Sequence, residues 1–316
     1  MPRNKTPMWA AASLVLAVAA TGCGTESAAP SGGSAKADSA AAESAAHRQP
    51  DPEKIDSKVL EEDDDHTVIR LADGRQVSLS YTKRGLEERH RADTDADWSA
   101  AKTVHATDTA ACQGITAKAH QDTVWVTADF GLYCSDGEPP SESVAAVGSG
   151  DLSSWDADLT KGMDGWPKAY VYDKGDRVEF VDKRWDGTTT LPWRKGTGFE
   201  PKQHVYEPIG KQLVGSWKAT DGSQRVTFEQ AAPEKRPRLT IETLKGERCL
   251  GSGTLGPKSD DSAELNDFKV REGKETTNCP PELFEYFYEA KSADGPLVLW
   301  KLGNKPQKVL TYERTD

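Results

Sequence analysis

From Thr67 onward, Gly, Asp and Pro cut the chain into short runs of alternating apolar and polar residues, a rhythm that restricts it to antiparallel β-structure. Residues 67–81, TVIRLADGRQVSLSY, give two such runs around Asp73-Gly74, and an Asp-Gly pair supplies the positive φ of a tight hairpin turn. Further strands are expected at 114–119, 123–133, 144–147, 169–172 and 177–181. The charged stretch 86–99 is read as a short helix, and Pro192-Trp193 and 196–199 as irregular closing structure. After a break at 200–208 the pattern restarts at Leu213, with strands expected at 215–219, 224–229, 238–243, 249–255, 262–270, 284–290, 297–302 and 308–312. Eight up-and-down strands can close on themselves and leave no exposed sheet edge. The expected fold class is all-β: two small antiparallel domains, 59–206 and 207–316, the second an eight-stranded up-and-down barrel.

The N-terminus follows a different logic. Arg3 and Lys5 precede an uncharged run, 8–20, of about 13 residues, the size of an export signal's apolar core. It is shorter than the roughly 20 residues that a spanning helix needs. The run ends in Ala20-Thr21-Gly22-Cys23, which resembles the lipobox of bacterial lipoproteins, with Ala where Leu is commoner. The resemblance implies a signal peptide, 1–22, removed before Cys23, and a diacylglycerol thioether on that sulfur, with a further acyl chain on the new amine. Two chains anchor firmly where one exchanges. Localisation at the extracytoplasmic face of the cell membrane follows. Residues 23–58 are dominated by Ala, Ser, Gly, Pro and charged side chains, too few of them apolar to offset ordering entropy, so a disordered tether is expected there.

Charge removes one class of partner. The chain carries 40 Lys and Arg against 51 Asp and Glu, a formal charge of -11, and losing Arg3 and Lys5 leaves the mature chain at -13. Such a surface repels phosphates, and the sequence shows neither a basic stripe nor a nucleic-acid motif, so no nucleic-acid partner is expected. Apart from Cys23, four cysteines remain, an even number suited to an oxidising exterior. Pairing of sequence neighbours, Cys112 with Cys134 and Cys249 with Cys279, is expected. Their spacing fits no common zinc site.

The chemical motifs are sparse. Gly251, Gly253 and Gly256 fit G-x-G-x-x-G, but Pro257 and the polar residues after it make a turn, not a helix N-terminus that could hold phosphate. Asp93, Asp95 and Asp97 alternate like calcium-loop ligands, yet Trp98 stands where such a loop turns on Gly and Val104 where it needs Glu. They remain weak metal candidates beside the plainer reading of a solvated acidic loop. No nucleophile elbow or H-E-x-x-H is present, and the six histidines are dispersed. Gly215-Ser216-Trp217 resembles the Gly-x-Trp that opens calycin-type, lipocalin-like barrels. That likeness implies that Trp217 closes one barrel end and is structural.

Tryptophan is the remaining signal. Six of nine, among them Trp98, Trp155, Trp166 and Trp185, fall in the first β block, where flat aromatic faces can stack on sugars or anchor partners. The expectation is therefore a membrane-anchored lipoprotein, non-enzymatic and without cofactor, that binds an envelope protein or glycan. Two alternatives stay open: an extracytoplasmic hydrolase acting on cell-wall glycan or peptide, and a carrier of a small apolar ligand in the C-terminal barrel.

Overall fold

The computed structural model describes residues 50–315, apart from 133, 135, 136, 247 and 274–284. The signal peptide, Cys23, most of the expected tether and Cys279 lie outside the described residues. The described chain is all-β, with three open antiparallel sheets followed by a closed eight-stranded barrel. The first sheet runs in chain order through β1 (Lys58–Glu62), β2 (His66–Arg70), β3 (Gln76–Thr82), β4 (Gly85–Arg91) and β5 (Lys102–Ala106). The second holds β6 (Thr116–His120), β7 (Thr123–Phe130), β8 (Glu142–Ser149) and β9 (Trp155–Thr160). The third holds β10 (Lys168–Tyr172), β11 (Arg177–Arg184) and β12 (Gly187–Arg194), and β12 is also paired with β13 (Gly198–Phe199) and β14 (Gln203–Tyr206).

These three sheets pack face to face, and the composition of β7 shows why the second is in the middle. A strand buried on both faces reads as a continuous apolar run, whereas one with a wet face alternates. Val124, Val126, Ala128 and Phe130 pack with Ile69, Val77, Leu79 and Leu86 of the first sheet. Trp125 points the other way, and with Ala145 and Val147 of β8 it packs on Val171, Val178, Phe180, Leu191 and Trp193 of the third. A disulfide between Cys112 and Cys134, with Cα atoms 5.5 Å apart, ties the loop before β6 to the loop after β7.

Three expectations need correction. Residues 85–91 are strand β4, not helix: Gly85 to Glu88 are all buried, the adjacent glutamates included, so the charges conceal a buried strand. Pro192 and Trp193 lie inside β12, not in irregular structure. Proline is tolerated there because β12 changes partner at that point, from β14 at Thr190 to β13 at Trp193. Residues 50–57, assigned to the tether by composition, lie along the sheets. The Glu53 amide donates to Val171 O at 2.8 Å, the Ala119 amide to Ser57 Oγ at 2.8 Å, and Ile55 packs on the core between the second and third sheets. His120 fastens this strap, its ring 2.6 Å from Glu53 and 3.3 Å from Asp56.

The barrel comprises β15 (Gly215–Ala219), β16 (Gln224–Glu229), β17 (Arg238–Thr243), β18 (Cys249–Ser259), β19 (Ser262–Gly273), β20 (Tyr286–Glu289), β21 (Leu297–Lys301) and β22 (Gln307–Arg314), and β22 pairs back onto β15. Trp217, Phe228, Leu265, Tyr288 and Tyr312 fill its interior. Trp217 is fully buried and donates its indole N–H to Leu213 O at 2.9 Å. From the last strand, the Arg314 guanidinium lies 4.3 Å from the centre of that indole and donates to Val214 O and Gln212 O, both at 2.8 Å. One residue from each end of the barrel sequence thus locks the closing seam.

The glycines of β18 have packing duties. A Cβ on Gly251 would lie 2.1 Å from the Phe268 ring, and one on Gly253 would lie 2.6 Å from Leu265. Cys249 is disulfide-bonded; its expected partner, Cys279, lies outside the described residues.

The third sheet grips the barrel. Trp185, at the β11–β12 turn, reaches β18 so closely that a Cβ on Gly256 would lie 2.2 Å from its ring. Asp186 bonds Arg236 at 2.7 Å, and the Tyr206 amide donates to Pro233 O at 2.8 Å.

Candidate functional site

The faces that the second and third sheets turn toward each other are apolar in their middle and polar at one edge. Along β7, Trp125, Thr127 and Asp129 share the side that faces the third sheet. Trp125 enters the core, while Thr127 and Asp129 border a cleft of about 190 Å³. Thr116 and Lys118 of β6 form one rim, and Asp164 and Trp166 of the connection from β9 into β10, with Lys168 at the start of β10, form the other. The Gly162-Met163-Asp164-Gly165 turn makes this approach possible: Gly162 and Gly165 have φ of 66° and 81°, and a Cβ on Gly165 would lie 3.0 Å from Asp129 Oδ2.

Two groups at the base of the cleft are electrostatically unusual. Asp129 is 7% exposed, and its backbone is held from the first sheet by Tyr81, whose hydroxyl accepts from the Asp129 amide at 3.1 Å. Burial pushes its carboxyl above the usual range, and charge on Asp164 adds to that shift against an opposing hydrogen bond with Ser143. Ser143 has its own duties, donating to Met163 O at 3.0 Å and accepting from the Gly165 amide at 3.2 Å. Trp166 is 4% exposed, its ring set edge-on to Phe180, and its indole N–H has no acceptor. Buried donors without partners are rare in folded proteins, and this one belongs to a side chain that lines the cleft.

The other tryptophans proposed from sequence do not join this site. Trp98 lies under the Arg91 guanidinium, 4.4 Å from ring centre to Cζ. Trp155 covers Gly148, where a Cβ would sit 2.7 Å from its ring, and Trp185, although 54% exposed, is spent on the barrel contact. Asp93 is occupied by its own turn, its Oδ1 accepting from the amides of Asp95 and Ala96, each at 2.9 Å. Among the described residues, no group of three or more His, Cys, Asp or Glu could hold a metal ion. Sequence reasoning missed Asp129, Asp164, Lys118 and Lys168. The available signal was Asp129 itself, the one charged residue of β7, whose other residues are apolar or threonine.

The histidines divide into two kinds. His90, His105 and His120 contact carboxylates: Glu88 at 2.8 Å, Glu142 at 3.1 Å, and the Glu53–Asp56 pair. His66 and His204 contact hydroxyls, Ser78 and Thr189, at 2.9 and 2.8 Å. Among the described residues, no histidine joins a hydroxyl to a carboxylate. Near His105, the Thr107 and Thr109 hydroxyls donate to Glu142, not to the ring. Burial would raise the Glu142 carboxyl, but hydrogen bonds from His105, Thr107 and Thr109 outweigh it and hold the group below its usual range.

Comparison with known proteins adds little. No protein-family model matches the chain, and no curated protein does. A prolyl endopeptidase structure matches at 12% identity and a TM-score of 0.29, over 80% of this chain and 50% of the other, a likeness too slight to bear on fold or function.

Proposed function

We propose that the protein is an exported lipoprotein, anchored through Cys23 at the extracytoplasmic face of a membrane, whose body binds a glycan unit in the cleft between the second and third sheets. The lipobox residues support the anchoring, and no helix among the described residues is long and apolar enough to cross a membrane. One observation carries the binding reading: the partnerless Trp166 N–H and the desolvated Asp129 carboxyl border the same small cleft. A sugar hydroxyl answers both, accepting from the indole with its oxygen and bonding the carboxyl through its proton. An orphaned donor costs about 1–3 kcal/mol, recovered when a ligand oxygen arrives. The division of the histidines favours binding over nucleophilic hydrolysis, because a triad needs base, orienting carboxylate and hydroxyl in one chain of hydrogen bonds. The filled barrel interior does not favour a carrier of an apolar ligand. The likeness of the barrel to calycin-type folds draws support from buried Trp217, seated at the closing seam.

The test is titration of the full-length protein with soluble cell-wall saccharides, followed by calorimetry, for the wild type and Trp166→Phe. Phenylalanine keeps an aromatic ring and deletes the donor. A saccharide that binds the wild type should bind the variant about tenfold more weakly, while a cooperative thermal transition shows that the variant is folded. Equal affinity, or no saccharide bound by the wild type, would refute the cleft as a glycan site.

A further inference from the structure

The barrel carries a second depression, of opposite electrostatic character. On the outer face of β17–β19, Arg238 pairs in register with Thr254 and Ser252 with Lys269, and a bulge between those positions leaves Asp267 at φ 45°. The bulge opens a groove of about 460 Å³ bordered by Arg238, Ser252, Thr254, Asp267, Lys269 and Arg271. Neighbouring arginines on the barrel are neutralised: Arg225 bonds Glu242 at 3.2 Å and Arg248 bonds Glu272 at 3.3 Å. Arg238, Lys269 and Arg271 have no ion-pair or hydrogen-bond partner among the described residues. Among the described residues, then, three cations without a partner face one carboxylate, on a chain whose formal charge is -11. Like charges gathered around hydroxyl donors repel one another until an anion neutralises them, and guanidinium groups match the geometry of phosphate oxygens.

We propose that this groove binds a flexible phosphate-bearing polymer. A bilayer of anionic lipid is the poorer fit, because a flat charged surface would also meet the net negative charge of the body, whereas a single strand can enter the groove alone. The inference is independent of the glycan cleft, which lies between the second and third sheets.

The experiment uses the full-length Cys23→Ser chain, so that no lipid contributes, with inorganic polyphosphate as the probe and phosphatidylglycerol vesicles as the contrast. Polyphosphate should bind with an affinity that falls steeply as salt rises. The triple variant Arg238→Gln/Lys269→Gln/Arg271→Gln should lose about tenfold or more in affinity, while Arg225→Gln keeps the wild-type value. Unchanged thermal midpoints would show that folding is intact, and single variants at each of the three positions would serve if the triple variant unfolds. Polyphosphate affinity indifferent to the substitutions, or binding to the vesicles but not to polyphosphate, would overturn the proposal.

Discussion

Two carboxylates near the second sheet respond to acid in opposite directions, because one is desolvated and the other solvated by protein. The Asp129 pKa is raised by burial, so its contribution to stability is fully present below its unfolded value, about 4, and is lost as pH rises through the folded value. The Glu142 pKa is depressed by the hydrogen bonds from His105, Thr107 and Thr109. Its contribution is present above the unfolded value, again near pH 4, and is lost as pH falls through the folded one. Asp129→Asn should therefore stabilise the protein at pH 7 by about 1 kcal/mol, with the gain fading on acidification. Glu142→Gln should cost about 1.5 kcal/mol at pH 7, with the loss fading on acidification. Urea unfolding of both variants and the wild type from pH 3 to 8 checks this. Parallel pH curves for wild type and variants would contradict the assignment.

At the scale of elements, the barrel was the most legible part of the chain, and its glycines show what a pattern can and cannot convey. Strands expected at 215–219, 224–229 and 238–243 match β15, β16 and β17 residue for residue, because each alternates against one filled interior and one wet exterior. The three sheets were harder to read. A middle sheet buried on both faces loses its alternation, and β4 hides buried Glu87 and Glu88 in what looks like a solvated run. The cleft was illegible for a related reason: Asp129 and Trp166 meet only because two sheets stack, and no local spacing records a stacking. G-x-G-x-x-G on β18 was visible but ambiguous, and its resolution is steric, with Phe268 and Leu265 occupying the space that side chains on Gly251 and Gly253 would need. Gly251→Ala should accordingly destabilise the protein by about 1–3 kcal/mol through overpacking. Adding Phe268→Leu should recover part of that loss, a coupling that a double-mutant cycle of urea unfolding measures. Strict additivity would show that the ring is not what the glycine accommodates.

At the scale of the whole molecule, the break at 200–208 suggests two independent domains, yet the chain across that break is tied down on both sides. Trp185 covers Gly256, Asp186 Oδ2 accepts from Arg236 at 2.7 Å, and the Asp186 carbonyl accepts from the Glu207 amide at 3.0 Å. Arg236 also lies 5.1 Å from the centre of the Tyr206 ring, so one guanidinium meets both the third-sheet hairpin and the strand that leaves it. An aromatic ring seated on a glycine is a contact that only shape reveals, which is why the sequence marks the boundary and not the grip. The consequence is cooperative. With this interface intact the sheets and the barrel should melt in one calorimetric transition, because neither can unfold without exposing Trp185 and stripping Asp186 of its partner. Trp185→Ala combined with Arg236→Ala removes the apolar and the ionic part of the contact and leaves every strand its own core. The double variant should melt in two transitions, or show a van't Hoff enthalpy well below the calorimetric one. A wild type that already melts in two steps would mean that the grip transmits no cooperativity, and that each body is held by its own core alone.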